Sequence, residues 1–166
     1  RGQGFKIAMT SINWTRMRRG GMCSAWSKLL IDRTVKRLKT RMVGGKPLGA
    51  NQGLQWAVAD MYTDWYTARA TSLACLREIE SYGSWWNTKR SPEEIRLFAI
   101  IKIANDESFY RVADKAVQLH GGFGVLKDNV VNKLFRIARN LRIPGGTDES
   151  QRTTIAETLG LHSKME

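Results

Sequence analysis

The sequence predicts an all-α protein, an up-down bundle of four to five helices. Two observations carry this. Long stretches place apolar residues three and four apart, and no stretch alternates Val, Ile or Thr with polar residues in the manner of strands. A third observation sets the number of helices. Clusters of Gly and Pro interrupt the helical pattern at Val43–Gly49, Gly121–Gly124 and Pro144–Gly146. Short connections between long helices make neighbours antiparallel.

The first helix is expected from about Ile12 to Met42, with Met22, Trp26, Leu30 and Leu38 on one ridge. Gly20 and Gly21 inside it either weaken it locally or allow a close backbone approach. The second runs from about Ala50 to Tyr82. Its stripe is Leu54, Val58, Met61, Trp65, Ala68, Ser72, Cys75 and Ile79, an unbroken four-and-three spacing. The third starts at Ser91-Pro92-Glu93-Glu94. Ser at the cap, Pro at the first helical position and Glu three after the cap form a capping box. Its face continues through Ile101, Ala104, Ser108, Val112, Ala116 and Leu119 to His120. A shorter helix is expected over Val130–Ile143 and a last one over Asp148–Leu161. Trp85-Trp86 falls in a loop, where an exposed aromatic pair suggests a protein contact.

With 166 residues, positions 1–166 form a single helical-bundle domain. The longest pure apolar run, Leu97–Ile101, is far short of the roughly 20 residues a membrane span needs. The N-terminal RGQGFKIAMT lacks a signal-peptide core, so the expected location is cytoplasmic. Cys23 and Cys75 fit buried hydrophobes in a reducing compartment, with a disulfide between them left open. His120 and His162 have no ligand-spaced partners, and no metal site is expected.

The net charge is +12 and unevenly placed. Residues 1–41 hold eleven Lys or Arg against one acid, Asp32; the other 125 residues hold sixteen bases and fourteen acids. Such a bias fits either a polyanionic partner or a solvated basic face. No DNA-binding motif accompanies it, so no nucleic-acid partner is expected. A nucleic-acid module and a purely structural oligomerisation bundle remain the alternatives to the reading that follows.

Five motifs occur in order: GQGFKIAM at Gly2–Met9, NWTR at Asn13–Arg16, RMVGGKPLGANQ at Arg41–Gln52, QLHGGFG at Gln118–Gly124 and RIPGGTDESQR at Arg142–Arg152. In that order and spacing the chain resembles the C-terminal helical domain of the acyl-CoA dehydrogenase family over nearly its whole length. The resemblance implies a flavin oxidoreductase of fatty-acid metabolism with FAD as cofactor and an acyl-CoA thioester as substrate. It also implies a homo- or hetero-oligomer, a dimer or tetramer. The expected cofactor contacts are Arg41, Asn51, Gln52, Gln118, Gly121, Gly122, Thr147 and Glu149. Arg41 reaches the cofactor of a neighbouring subunit, and Arg16 lies near the acyl pocket. A diphosphate suits a bidentate arginine and bare backbone amides.

The departures are as informative. The family's phenylalanine after the arginine is replaced by Gly44. At the corner where many members carry tyrosine-glutamate-glycine-threonine, the chain reads Pro144-Gly145-Gly146-Thr147. The glutamate that takes the substrate proton is thus Gly145, and the alternative base position on the first helix is Thr15. No catalytic residue is evident. Asp148 and Glu149 are expected as caps or cofactor contacts, since acids favour a helix's first turn. Either the base comes from elsewhere, or the chain is a base-less subunit completing the site of an active partner. The family's two preceding domains have no counterpart, so the chain is expected to be the C-terminal part of a larger flavoprotein.

Overall fold

A computed structural model describes residues 2–83 and 89–161. Five helices carry the fold: α1 (Gly4–Thr40), α2 (Gln52–Ser81), α3 (Pro92–His120), α4 (Val130–Leu141) and α5 (Asp148–Thr158). The expected all-α bundle is therefore present. α3 is its axis and packs against α1, α2, α4 and α5. No helix among the described residues is long and apolar enough to cross a membrane. Trp85, Trp86 and His162 lie outside the described residues.

α1 begins eight residues earlier than Ile12 and ends two before Met42. The stretch Phe5–Ser11 contains Lys, Ala and Met, which favour helix, and nothing in it breaks one. Its buried ridge is also rotated from the expected one. Cys23, Ser27, Leu30, Ile31, Thr34 and Leu38 are buried, whereas Met22 and Trp26 are half-buried. Small residues let α1 sit close to its neighbours, and the Trp26 ring covers the margin, 5.6 Å from Phe109. Gly20 shows the same economy of space. A Cβ there would stand 2.8 Å from Ser72 Oγ on α2, so the glycine is a point of close approach.

The stripe on α2 is buried at Met61, Ala68, Ser72, Cys75 and Ile79, and half-buried at Leu54, Val58 and Trp65. Trp65 Nε1 donates to the Ser24 carbonyl at 3.0 Å, tying α2 to α1. The capping box opens α3 as expected, with Glu94 N–H donating to Ser91 Oγ and Ser91 N–H to Glu94 Oε2. Ile101, Ser108, Val112, Ala116 and Leu119 form its buried face, with Ala104 at the edge. Cys23 and Cys75 are both buried and free.

Strands were not expected, yet a minimal hairpin follows α1. Met42–Val43 (β1) pairs antiparallel with Lys46–Pro47 (β2), Met42 opposite Pro47. The turn is Gly44-Gly45, at φ +56° and +77°. Two consecutive left-handed residues make the turn type that matches strand twist, and only glycine adopts it freely. Three residues of 3₁₀ helix, Leu48–Ala50, then lead into α2.

Candidate functional site

α4 and α5 meet at the corner Arg142–Thr147. Gly145 and Gly146 have φ of +76° and +88°, which reverse the chain in two residues. Thr147 caps α5, its Oγ1 accepting the Ser150 N–H at 3.2 Å. Two arginines from α1 clamp this turn from below. Arg16 Nε and Nη2 donate to the Gly145 carbonyl at 3.1 and 2.8 Å, and its Nη1 to Asn13 Oδ1 at 3.0 Å. Arg19 donates to the Leu141 carbonyl at 2.5 Å and to the Pro144 carbonyl at 2.8 Å.

Beneath the clamp lies an ionic cluster absent from the expected site. Arg19 pairs with Asp106. Lys102, with no exposed surface, bridges Asp106 and Asp148, each at 2.9 Å. Arg142 Nε closes on Asp148 Oδ2 at 2.5 Å. Burial pushes the Asp106 carboxyl up, and Arg19 and Lys102 oppose that shift. Asp148 raises Arg142. Asp148 was expected to be a cap or a cofactor contact. It is instead a buried counter-ion, because it faces α3 rather than solvent. Glu149 does face solvent, and its own backbone amide and the Thr147 hydroxyl hold its carboxyl below the usual range.

Thr15 is exposed, and its hydroxyl is spent on the Ser11 carbonyl at 3.1 Å. Arg16 is buried at the floor of a cleft of about 300 Å³ between α1 and the start of α3. Phe5, Met9 and Ile95 give that cleft apolar walls, and Lys6 and Asn13 a polar rim.

The other expected residues sit at the far end of α1. From Arg16 to the end of the helix is 24 residues, about 36 Å of axis. There Arg41, Gln118 and Gly121 line one groove of about 270 Å³ with Arg37, Leu48 and Leu54. Gly121, at φ +60°, has nothing within 4 Å of where a Cβ would stand, so its backbone is open to an incoming group. Gly122 is exposed beside it. Asn51 caps α2 by accepting the Gly53 N–H at 2.9 Å, and Gln52 is exposed in its first turn. The expected residues thus fall into two groups: Arg16, Gly145, Thr147 and Glu149 at one end, Arg41, Gln118 and Gly121 at the other.

Sequence reasoning missed Arg19, Lys102 and Asp106. Lys102 and Asp106 stand four apart on a buried face of α3 that also carries Asn105 and Ser108, so the pair does not stand out in the sequence. Among the described residues no three His, Cys, Asp or Glu side chains cluster as metal ligands.

The comparisons with known proteins agree with this architecture. Residues 2–160 match the model of the acyl-CoA dehydrogenase C-terminal domain. Over 155 residues the chain is 34% identical to an acryloyl-CoA reductase (NADH) of Anaerotignum propionicum, covering 93% of this chain and 37% of the relative. It is 31% identical over 157 residues to a 3-sulfinopropanoyl-CoA desulfinase of Variovorax paradoxus, covering 95% and 37%. The structure of butyryl-CoA dehydrogenase from Megasphaera elsdenii superposes with a TM-score of 0.83 at 26% identity, covering 96% of this chain and 39% of that one. The chain therefore spans under two fifths of the length of these relatives. Over that span, it belongs to the acyl-CoA dehydrogenase family as its C-terminal helical domain.

Proposed function

We propose that this domain completes the FAD and acyl-CoA sites of an acyl-CoA dehydrogenase-like oxidoreductase assembly while supplying no catalytic base of its own. The observation that carries this is Gly145: the corner where the family holds its proton-abstracting carboxylate has no side chain. α,β-Dehydrogenation of a thioester removes a proton from the α carbon and a hydride from the β carbon. Bound flavin supplies the hydride acceptor. Proton removal needs a base within hydrogen-bond reach, and neither Gly145 nor the committed hydroxyl of Thr15 provides one.

The residues present fit the cofactor. Arg41 offers a bidentate guanidinium for a diphosphate, and Gln118 an amide for a heterocycle edge. Leu48 and Leu54 offer an apolar floor, and the open Gly121 backbone permits close approach. Because this groove lies about 36 Å of helix axis from the corner, one molecule held within one chain does not span both. That separation supports a shared arrangement, in which Arg41, Gln118, Gly121 and Gly122 serve the cofactor of a neighbouring subunit. Asn51 and Gln52 flank that groove. Thr147 and Glu149 then border a flavin on their own side, and Arg16 floors the acyl cleft. The assembly is a homo- or hetero-oligomer; the missing base favours a partner subunit that carries one.

The test is an assay of the homomeric protein with flavin bound, against acyl-CoA thioesters of several chain lengths. The expected result is negligible dehydrogenation, since a positioned base contributes about 10²–10⁴-fold. Robust turnover would place a base elsewhere and remove the partner-subunit reading. Gly145→Glu alone does not decide the matter, because φ +76° strains any side chain there.

The same empty corner favours a second reading. Two relatives are named for reduction and for desulfination of acyl-CoA thioesters. Those names share the thioester without naming removal of hydrogen. Turnover of a 3-substituted propanoyl-CoA by the homomer, without turnover of saturated acyl-CoAs, would select that reading.

A further inference from the structure

The last third of α1 carries a second cleft that the flavin reading leaves unused. Arg33, Lys36 and Arg37 stand at i, i+3 and i+4 and form one wall of it, opposite Asn129 at the start of α4. Phe123 and His120 close one end, and the volume is about 280 Å³. It meets the Arg41 groove at Arg37 and His120 but opens on different residues.

No carboxylate lines this cleft. Among the described residues, the ion pairs of the fold engage Arg19, Lys28, Arg90, Arg96, Lys102, Arg111, Lys115, Arg142 and Arg152, but none of the three cations here. The one acid in this part of the sequence, Asp32, is held by Lys28 at 2.6 Å. Arg33 and Arg37 form a like-charge i, i+4 pair, which weakens a helix unless an anion offsets it. Arg37 is also held in place. Its guanidinium lies 5.3 Å over the Phe123 ring, and its Nε is out of water without an acceptor. His120 Nδ1 donates to the Ala116 carbonyl at 2.7 Å; burial, with Arg37 and Arg33 nearby, pushes its imidazole down.

We propose that this cleft is a second anion site, distinct from the Arg41 groove, and that it takes a small molecule carrying a diphosphate. Two guanidiniums and an ammonium within five residues exceed what a single carboxylate would neutralise. The forked donors of Arg33 and Arg37 match the oxygens of adjacent phosphates. A free nucleoside diphosphate and inorganic pyrophosphate share that chemistry, and so does the diphosphate of FAD itself.

The test titrates the protein with pyrophosphate and with ADP, by calorimetry and by thermal shift, with and without saturating FAD. Measuring without FAD keeps the result readable if the flavin reading fails. The expected result is saturable binding of both probes that persists when FAD is present. The double variant Arg33→Gln/Lys36→Gln should weaken it by about tenfold or more, the loss expected for charge-assisted bonds. Both residues are exposed, so the fold is not at risk. Arg41→Ala should leave the binding that persists under saturating FAD unchanged. ADP binding with pyrophosphate would assign the diphosphate as the recognised part; tighter ADP binding would add a contact to the nucleoside. Absence of saturable binding would overturn the proposal, and so would equal affinity in the double variant. Competition by FAD would return the cleft to the flavin's own diphosphate. A change in sedimentation of the double variant without a change in anion binding would reassign the surface as a subunit contact.

Discussion

The two ends of α1 carry arginines of opposite kind. At the corner end, Arg16 and Arg19 are buried and every contact described for them is internal: carbonyls of the α4–α5 turn, an asparagine and an aspartate. At the other end, Arg33, Arg41 and Lys36 are exposed and border clefts with no acid in them. The same residue type is structural in one place and available in the other. The difference lies in what faces it. α3 presents Lys102 and Asp106 to the corner, whereas the clefts at the far end of α1 are lined by neutral groups such as Gln118, Gly121, Phe123 and Asn129, with no acid among them. The corner is a rigid support for a site; the far end is where a ligand has charge left to meet.

The sharpest way to break this contrast is at Lys102. Lys102→Ala would leave Asp106 and Asp148 buried without their shared cation, a loss of about 3–5 kcal/mol. Urea unfolding measures it. A loss below about 1 kcal/mol would mean the cluster is hydrated and the corner is not a rigid support. Next in size is Gly20→Val. Its side chain would meet Ser72 at the α1–α2 contact and should cost about 1–3 kcal/mol by overpacking. Gly145→Ala isolates the conformational part of the corner. The space beside it is open to 3.5 Å, at Arg19 Nη2, so the expected cost, about 1–2 kcal/mol, is that of a left-handed non-glycine residue. Thr147→Ala removes the α5 cap and should cost about 1 kcal/mol.

The contrast also explains what the sequence could reveal. Helices α2 and α3 were legible because their apolar spacing and the Ser91 capping box are local. The hairpin Met42–Pro47 was missed because two residues per strand leave no alternation to detect; only Gly44-Gly45 marked it, and that pair reads equally as a loop. The start of α1 was missed because its first turn has no capping side chain, Gln3 making no such bond. At the site, the motif residues Arg41, Gln118 and Gly121, far apart in sequence, line one groove. The ionic cluster was not legible, because Arg19, Lys102, Asp106 and Asp148 come from three separated segments that only packing unites. Asp148 in particular has the sequence signature of a first-turn acid, and tertiary contact with Lys102 overrides it.

A smaller effect separates the ends by pH. The imidazole of His120 is held below its usual range first by burial, then by Arg37 and Arg33. A group with a depressed cationic pKa is protonated more readily in the unfolded chain. Its contribution to stability is therefore whole above the usual histidine range and lost as pH falls below it. Stability measured from pH 7.5 to 5.5 should fall, by less than the roughly 1.4 kcal/mol per pH unit that one proton allows. His120→Asn should flatten that slope. Pyrophosphate in the adjacent cleft should flatten it too, by offsetting the two arginines. An unchanged slope in the variant would assign the pH dependence to another group.

The least effect on stability is expected at Arg41, and that is where the contrast becomes a functional test. Arg41 is exposed at the end of α1, and its backbone, not its side chain, joins the fold: its N–H donates to the Arg37 carbonyl at 2.8 Å and its carbonyl accepts from Leu48 at 2.7 Å. Arg41→Ala should leave unfolding within about 0.5 kcal/mol of the parent. If the groove holds a diphosphate, the same change removes a charge-assisted contact worth roughly 1.5–3 kcal/mol of binding, about 10–100-fold in flavin retention. Flavin absorbance after gel filtration reads this directly. Arg16→Ala should show the reverse pattern, because its guanidinium is spent on Gly145 and Asn13: stability falls, and flavin retention follows only through the altered corner. Retained flavin in Arg41→Ala, with stability intact, would show that the groove's open charge serves something other than the cofactor.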